Sequence, residues 1–104
     1  MKIAVPTIGD QINQDFDKSR KCTIYTVEGT LIHSEEVVES STDGGVKSSM
    51  SNILAQYGVM TLIAGGIGDG TRNVLGVKGI RTIKGVSGTA KNAVESFLRG
   101  ELRR

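Results

Sequence analysis

Two short segments of this 104-residue chain carry almost nothing polar: Ile3-Ala4-Val5 and Val59-Met60-Thr61-Leu62-Ile63-Ala64. A strand with apolar side chains on both sides has to be covered on both faces, so each segment reads as a central strand. The first is closed by Pro6. Between them, Lys21 to Val27 is rich in β-branched and aromatic residues, and Thr30 to Val38 follows a tight turn at Glu28-Gly29. That pattern is a β-hairpin, although its imperfect alternation leaves the register open. Residues 10–19 are polar around a lone Phe16.

Past a loop at Ser40–Gly45 the period changes from 2 to about 3.6. Val46, Met50, Ile53, Leu54 and Tyr57 share one helical face, and Gly58 stands where a helix stops. A short helix is expected from Thr71 to Leu75, ended by Gly76 or Gly79, and a short strand over Ile80–Ile83. Ser87 or Thr89 is placed to cap a last helix whose apolar face is Ala90, Ala93, Val94, Phe97 and Leu98. Gly100 ends it. Burying Val94, Phe97 and Leu98 is worth about 1.5–3 kcal/mol each. The order β-β-β-α-β-α-β-α predicts one α/β domain over 1–104 with helices on both faces. In order of occurrence, its five strands lie 3-2-1-4-5 across a mixed sheet, with the second antiparallel. This is the topology of ribonuclease H-like, three-layer folds.

Composition excludes several functions. One cysteine, Cys22, and one histidine, His33, allow no internal disulfide, zinc finger or all-cysteine iron–sulfur site. Ribonuclease H-type nucleases hold metal ions with carboxylates on the central strands, and neither apolar strand carries one. No acid, base and nucleophile set stands out, so no enzyme is expected. A net charge of +2 argues for neither nucleic acid nor a membrane surface. No run reaches the 18 apolar residues of a membrane span, and a free cysteine without an export signal points to the cytoplasm. The small net charge conceals an asymmetry. Residues 1–44 hold four basic and eight acidic residues, and residues 45–104 hold nine and three. Two solvated faces account for that, as does a basic rim drawing in an anion.

The sharpest local feature is Gly65-Gly66-Ile67-Gly68-Asp69-Gly70-Thr71, between a buried strand and a helix. It lacks the lysine of a phosphate-binding P-loop and the third glycine of a dinucleotide fingerprint. Two readings stand. Backbone N–H groups of Gly65, Gly66, Gly68 and Gly70, with the helix N-terminus at Asp69 and Thr71, form an anion nest. Alternatively the glycines serve only a tight turn, with Asp69 or Thr71 as a cap. Cys22 is either a small buried hydrophobe or a thiolate favoured by nearby Arg20 and Lys21. His33 falls mid-strand, facing solvent or serving as a ligand.

Several segments together resemble one family. They are the opening MKIAVPT, the stretch from Gly9 to Asp17 ending in Asp-Phe-Asp, the hairpin, AGGIGDGTRNVLGVKGI (Ala64 to Ile80) and AVESFLRGEL (Ala93 to Leu102). The chain is similar along nearly its whole length to the dinitrogenase iron-molybdenum cofactor biosynthesis family, which includes cofactor carriers and the C-terminal domain of NifB. The resemblance implies a ribonuclease H-like fold without nuclease activity. It also implies carriage of an iron–sulfur or iron-molybdenum cofactor precursor, with a cofactor-assembly or acceptor protein as partner. Asp15 and Phe16 join the glycine loop as the implied site. The family commonly has His-Phe-Gly where this chain has Asp15-Phe16-Asp17, and carboxylate is a harder ligand than imidazole. The alternative is therefore a relative that has lost the cluster and serves as a protein-interaction or small-anion-binding module. A monomer or weak dimer is expected.

Overall fold

The computed structural model describes residues 1–40 and 50–102. β1 (Lys2–Ile8) is followed by a two-residue β2 (Gln11–Ile12), a 3-10 turn at Phe16–Lys18, β3 (Lys21–Glu28) and β4 (Leu31–Glu39). Then come α1 (Met50–Gln56), β5 (Thr61–Ile63), α2 (Asp69–Val77), β6 (Arg81–Ile83) and α3 (Ala90–Leu98). The sheet order is β4-β3-β1-β5-β6, with β2 hydrogen-bonded to β1 off this path. β3 runs antiparallel to β1 and β4, whereas β1-β5 and β5-β6 are parallel. This is the predicted ribonuclease H-like arrangement, with β2 added inside the polar stretch around Phe16.

Alternation along the strands splits the core in two. Ala4, Cys22, Ile24, Leu62 and Ala64 face Leu54 of α1 and Leu75 of α2. Ile3, Val5, Tyr25, Ile63 and Ile83 face Ala90, Ala93 and Val94 of α3. Ile3, Val5, Leu62 and Ile63 are all 0% exposed, as strands covered on both faces require. Val94 is fully buried, while Phe97 and Leu98 are only partly covered against the same cluster, so they deliver less than a full burial each.

The uncertain hairpin register has a physical cause. Val27 pairs with Ile32 and Thr26 with Ser34, so His33 is an inserted residue, a β-bulge on the outermost strand. Ile32 and Val38 have the same parity, yet Ile32 packs with the α3-side cluster and Val38 with the other.

Helix ends follow the glycines with one correction. Gly58 takes φ +77° just after α1, and Tyr57 falls beyond that helix, exposed. α2 begins two residues earlier than expected and runs through Gly76. Gly79, at φ +82°, ends its turn instead. Such left-handed backbone suits glycine, whereas Gly76 stays helical. Thr89 caps α3, its Oγ1 accepting from the Asn92 N–H at 3.3 Å. Val46 and the Ser40–Gly45 loop beyond Ser40 lie outside the described residues.

Candidate functional site

Two loops leave the carboxyl ends of neighbouring strands and meet. After β1 the chain turns at Gly9, whose φ is +60°, and doubles back so that the Asn13 N–H donates to the Pro6 carbonyl at 2.8 Å. The next residues run alongside the loop after β5. The Gly66 N–H donates to the Gln14 carbonyl at 2.8 Å, and the Phe16 N–H donates to the Gly66 carbonyl at 3.0 Å. Asp15 and Gly66 form an isolated parallel bridge. Phe16 anchors the junction, 4% exposed in the cluster that also holds Cys22 and Leu75. Asp15 is exposed, its N–H bound to the Asn13 Oδ1 at 3.0 Å.

These contacts explain the glycines. A Cβ on Gly66 would stand 2.6 Å from the Gln14 carbonyl oxygen, and one on Gly65 2.5 Å from the Gln14 Oε1. Gly66 thus permits a close approach of two backbones, whereas Gly65 makes room for the Gln14 side-chain amide. Gly70 has nothing within 4 Å of its would-be Cβ.

The N-terminus of α2 already has an anion. Asp17 Oδ2 accepts from the Gly68 N–H at 2.8 Å, and Asp17 Oδ1 accepts from the Thr71 hydroxyl. Gly68 is the N-cap residue and has no side chain with which to cap; a carboxylate 51 positions away instead binds its N–H and sets a negative charge at the helix start. Asp69 lies in the first helical turn. Asp15, Phe16, Gly65, Gly66, Gly68, Asp69, Gly70 and Thr71 therefore share one end of the sheet. Asp17, absent from that set, is the residue that ties it together. No local pattern in the sequence signals a contact of that separation.

The two soft ligands stand apart. Cys22 is fully buried, and desolvation pushes its thiol up to about 12, which favours the buried-hydrophobe reading over the thiolate one. Lys21 and Arg20 are exposed and do not offset that burial. His33 is exposed on β4, which β3 and β1 separate from β5 and its glycine loop. Among the described residues no three His, Cys, Asp or Glu side chains come together as a metal site.

A second feature borders the junction. Lys18, Arg20 and Lys21 line a cleft of about 380 Å³ with Gly9 and Asn13, at the carboxyl end of β1. The run Lys-Ser-Arg-Lys is visible in the sequence, but the acidic total of the first 44 residues masks it.

The fold and this junction define a small ribonuclease H-like domain whose central strands lack nuclease carboxylates. The chain belongs to the dinitrogenase iron-molybdenum cofactor family, whose sequence profile matches residues 1–100. It is 26% identical over 107 aligned positions to the uncharacterized protein MJ0580 of Methanocaldococcus jannaschii, covering 100% of this chain and 91% of that one. The crystal structure of PH0822 is similar with a TM-score of 0.87 at 24% identity, covering 99% of this chain and 93% of that one. The apo form of the orange protein from Desulfovibrio gigas gives 0.78 at 22% identity, covering 98% and 90%. No helix among the described residues is long and apolar enough to cross a membrane.

Proposed function

We propose that this chain is a non-catalytic carrier of an anionic metal–sulfur cofactor precursor, handing it to or from a cofactor-assembly or acceptor protein. The observation that carries the reading is the union of its two family-like loops, with Phe16 N–H on Gly66 and Gly66 N–H on Gln14. Membership of the family supports the class of cargo. The donor set limits how that cargo is held. A buried, protonated Cys22 and a distant His33 offer no soft ligand, so a preassembled cluster keeps its own sulfur ligands and is held by charge and hydrogen bonds. Anaerobic incubation with a preassembled cluster is the test. Bound iron with charge-transfer absorbance is expected, and a colourless, iron-free protein would sink the reading.

The Asp17 contact favours a second reading. Its carboxylate occupies the Gly68 N–H and the Thr71 hydroxyl and sets a negative charge where an incoming anion would approach α2. On this reading the chain has lost the cluster and serves as a protein-interaction or small-anion-binding module. Replacing Asp17 with glycine, the residue common in the family, separates the two. Cluster uptake by the variant but not by the parent protein favours the second.

A further inference from the structure

We propose that the cleft at the carboxyl end of β1 seats a compact polyanion, gripped by Lys18, Arg20 and Lys21. It deepens the carrier reading by naming where the cargo sits, and it rests on that reading only for the identity of the cargo. Three observations converge on it.

The first is charge without a partner. Lys18 comes from the 3-10 turn, and Arg20 and Lys21 from the entry to β3. All three line the same cleft of about 380 Å³. The one salt bridge among the described residues is Arg99 with Glu101, so none of the three cations is paired with a described carboxylate. No carboxylate among the described residues lines the cleft. Of the nearby acids, Asp17 binds α2, Asp10 lines a different cleft with Tyr25 and Lys91, and Glu39, the cross-strand partner of Lys21, forms no salt bridge with it and does not line the cleft.

The second is a fixed polar donor. The Asn13 Oδ1 is committed to the Asp15 N–H, which leaves its amide NH₂ to donate to a ligand. The Asn13 N–H to Pro6 bond and the Gly9 turn hold that loop in place, so the donor is set before a ligand arrives.

The third is topology. The sheet order runs outward from β1 in both directions, towards β3-β4 on one side and β5-β6 on the other. In open α/β sheets ligands bind outside the carboxyl ends of the strands at such a switch point. Gly9 follows β1 directly, so the cleft opens at the carboxyl end of β1, on its β3 side and beside that point.

A ligand bearing two or more negative charges matches three cations. A free phosphoanhydride and an anionic cluster share that chemistry, and two arms tell them apart. In the first, inorganic pyrophosphate is titrated into the protein and followed by amide chemical shifts. Saturable shifts centred on Gly9, Asn13 and Lys18–Lys21 are expected, with affinity falling as salt rises. Replacing two of the three cations, Arg20→Gln with Lys21→Gln, weakens binding by about tenfold or more, since charge-assisted hydrogen bonds are the strong ones. The variant Lys78→Gln with Arg81→Gln, on the far edge, leaves it unchanged. No saturation, shifts centred on α2, or equal affinity in the Arg20/Lys21 variant overturns the proposal. In the second arm the same proteins are incubated anaerobically with a preassembled cluster. Iron uptake undiminished in the Arg20/Lys21 variant overturns this seat and leaves the carrier reading intact. Pyrophosphate binding as expected with no iron uptake by the parent protein supports the cleft and ends the carrier reading. Circular dichroism of each variant checks that the surface changes leave the fold in place.

Discussion

Asp17 and Cys22 show how differently two polar residues of one short segment are treated. Asp17 is exposed, yet both its oxygens are committed to the start of α2. Removing an N-terminal cap costs about 0.5–2 kcal/mol. Asp17→Ala should lower unfolding stability by that amount in urea, and Asp17→Asn should lose less, because its one carbonyl oxygen still accepts. An unchanged midpoint for Asp17→Ala would remove the capping role. Cys22 has no such exposure. With its pKa raised from 9.0 to about 12, its thiolate fraction at pH 8 is only about one in ten thousand. Iodoacetamide should therefore label native protein at pH 8 far more slowly than protein in denaturant. Equal labelling rates would show that the thiol is reachable in the folded state. Cys22 was legible as a small buried hydrophobe. The Asp17 contact was not, because a carboxylate in a polar stretch carries no mark of a partner 51 positions away.

Among the elements, the two loops at the carboxyl ends of β1 and β5 depend on different glycines in different ways. Gly66 lies against a backbone oxygen that has little room to move, so Gly66→Ala forces the two loops apart. Overpacking of this kind costs about 1–3 kcal/mol, and the Phe16 to Gly66 hydrogen bond goes with it. Gly70 is in the first turn of α2 with open space around it, so Gly70→Ala should be neutral or stabilising by up to about 1 kcal/mol. Urea midpoints for the pair check the contrast, and equal losses would mean that the loop as a whole is intolerant. The glycine-rich run was visible in the sequence, but the division of labour inside it was not. Close approach to Gln14 is a tertiary fact, and both glycines look alike in one dimension. The central strands, by contrast, were legible from Ile3-Ala4-Val5 and Leu62-Ile63-Ala64, because apolar character on both sides of a strand has few other solutions.

For the molecule as a whole, both faces of the sheet hold a group that resists ionisation. Cys22 lies on the α1–α2 side and Tyr25 on the α3 side. Burial raises the Tyr25 hydroxyl from 10.0 to about 12, with further upward pushes from Glu35 and Asp10. A folded pKa above the unfolded one means that the native state keeps its proton longer. The contribution to stability is thus complete below about pH 9 and is lost as the pH rises towards 12. Unfolding free energy should decline from pH 8 to pH 11, and Cys22→Ala should flatten the decline between pH 9 and 10. A flat profile in the parent protein would contradict both assignments. The sheet order was readable at this scale too, since alternating strands and helices leave few topologies. β2 and the 3-10 turn were not, because two- and three-residue elements in a polar stretch have no periodicity to detect.

The inserted His33 has one more effect. β4 is the last strand of the sheet, and a long, regular outer strand is an invitation for another chain to add itself in register. A residue that interrupts the ladder twists it locally, and the exposed Glu35, Glu36 and Glu39 repel a like strand laid alongside. The bulge then works as a guard against polymerisation. Deleting His33 would preserve the pairings of Val27 with Ile32 and Thr26 with Ser34 while straightening the margin. Sedimentation velocity should find more self-association in the deletion variant at raised concentration, most clearly at high salt where the glutamates no longer repel.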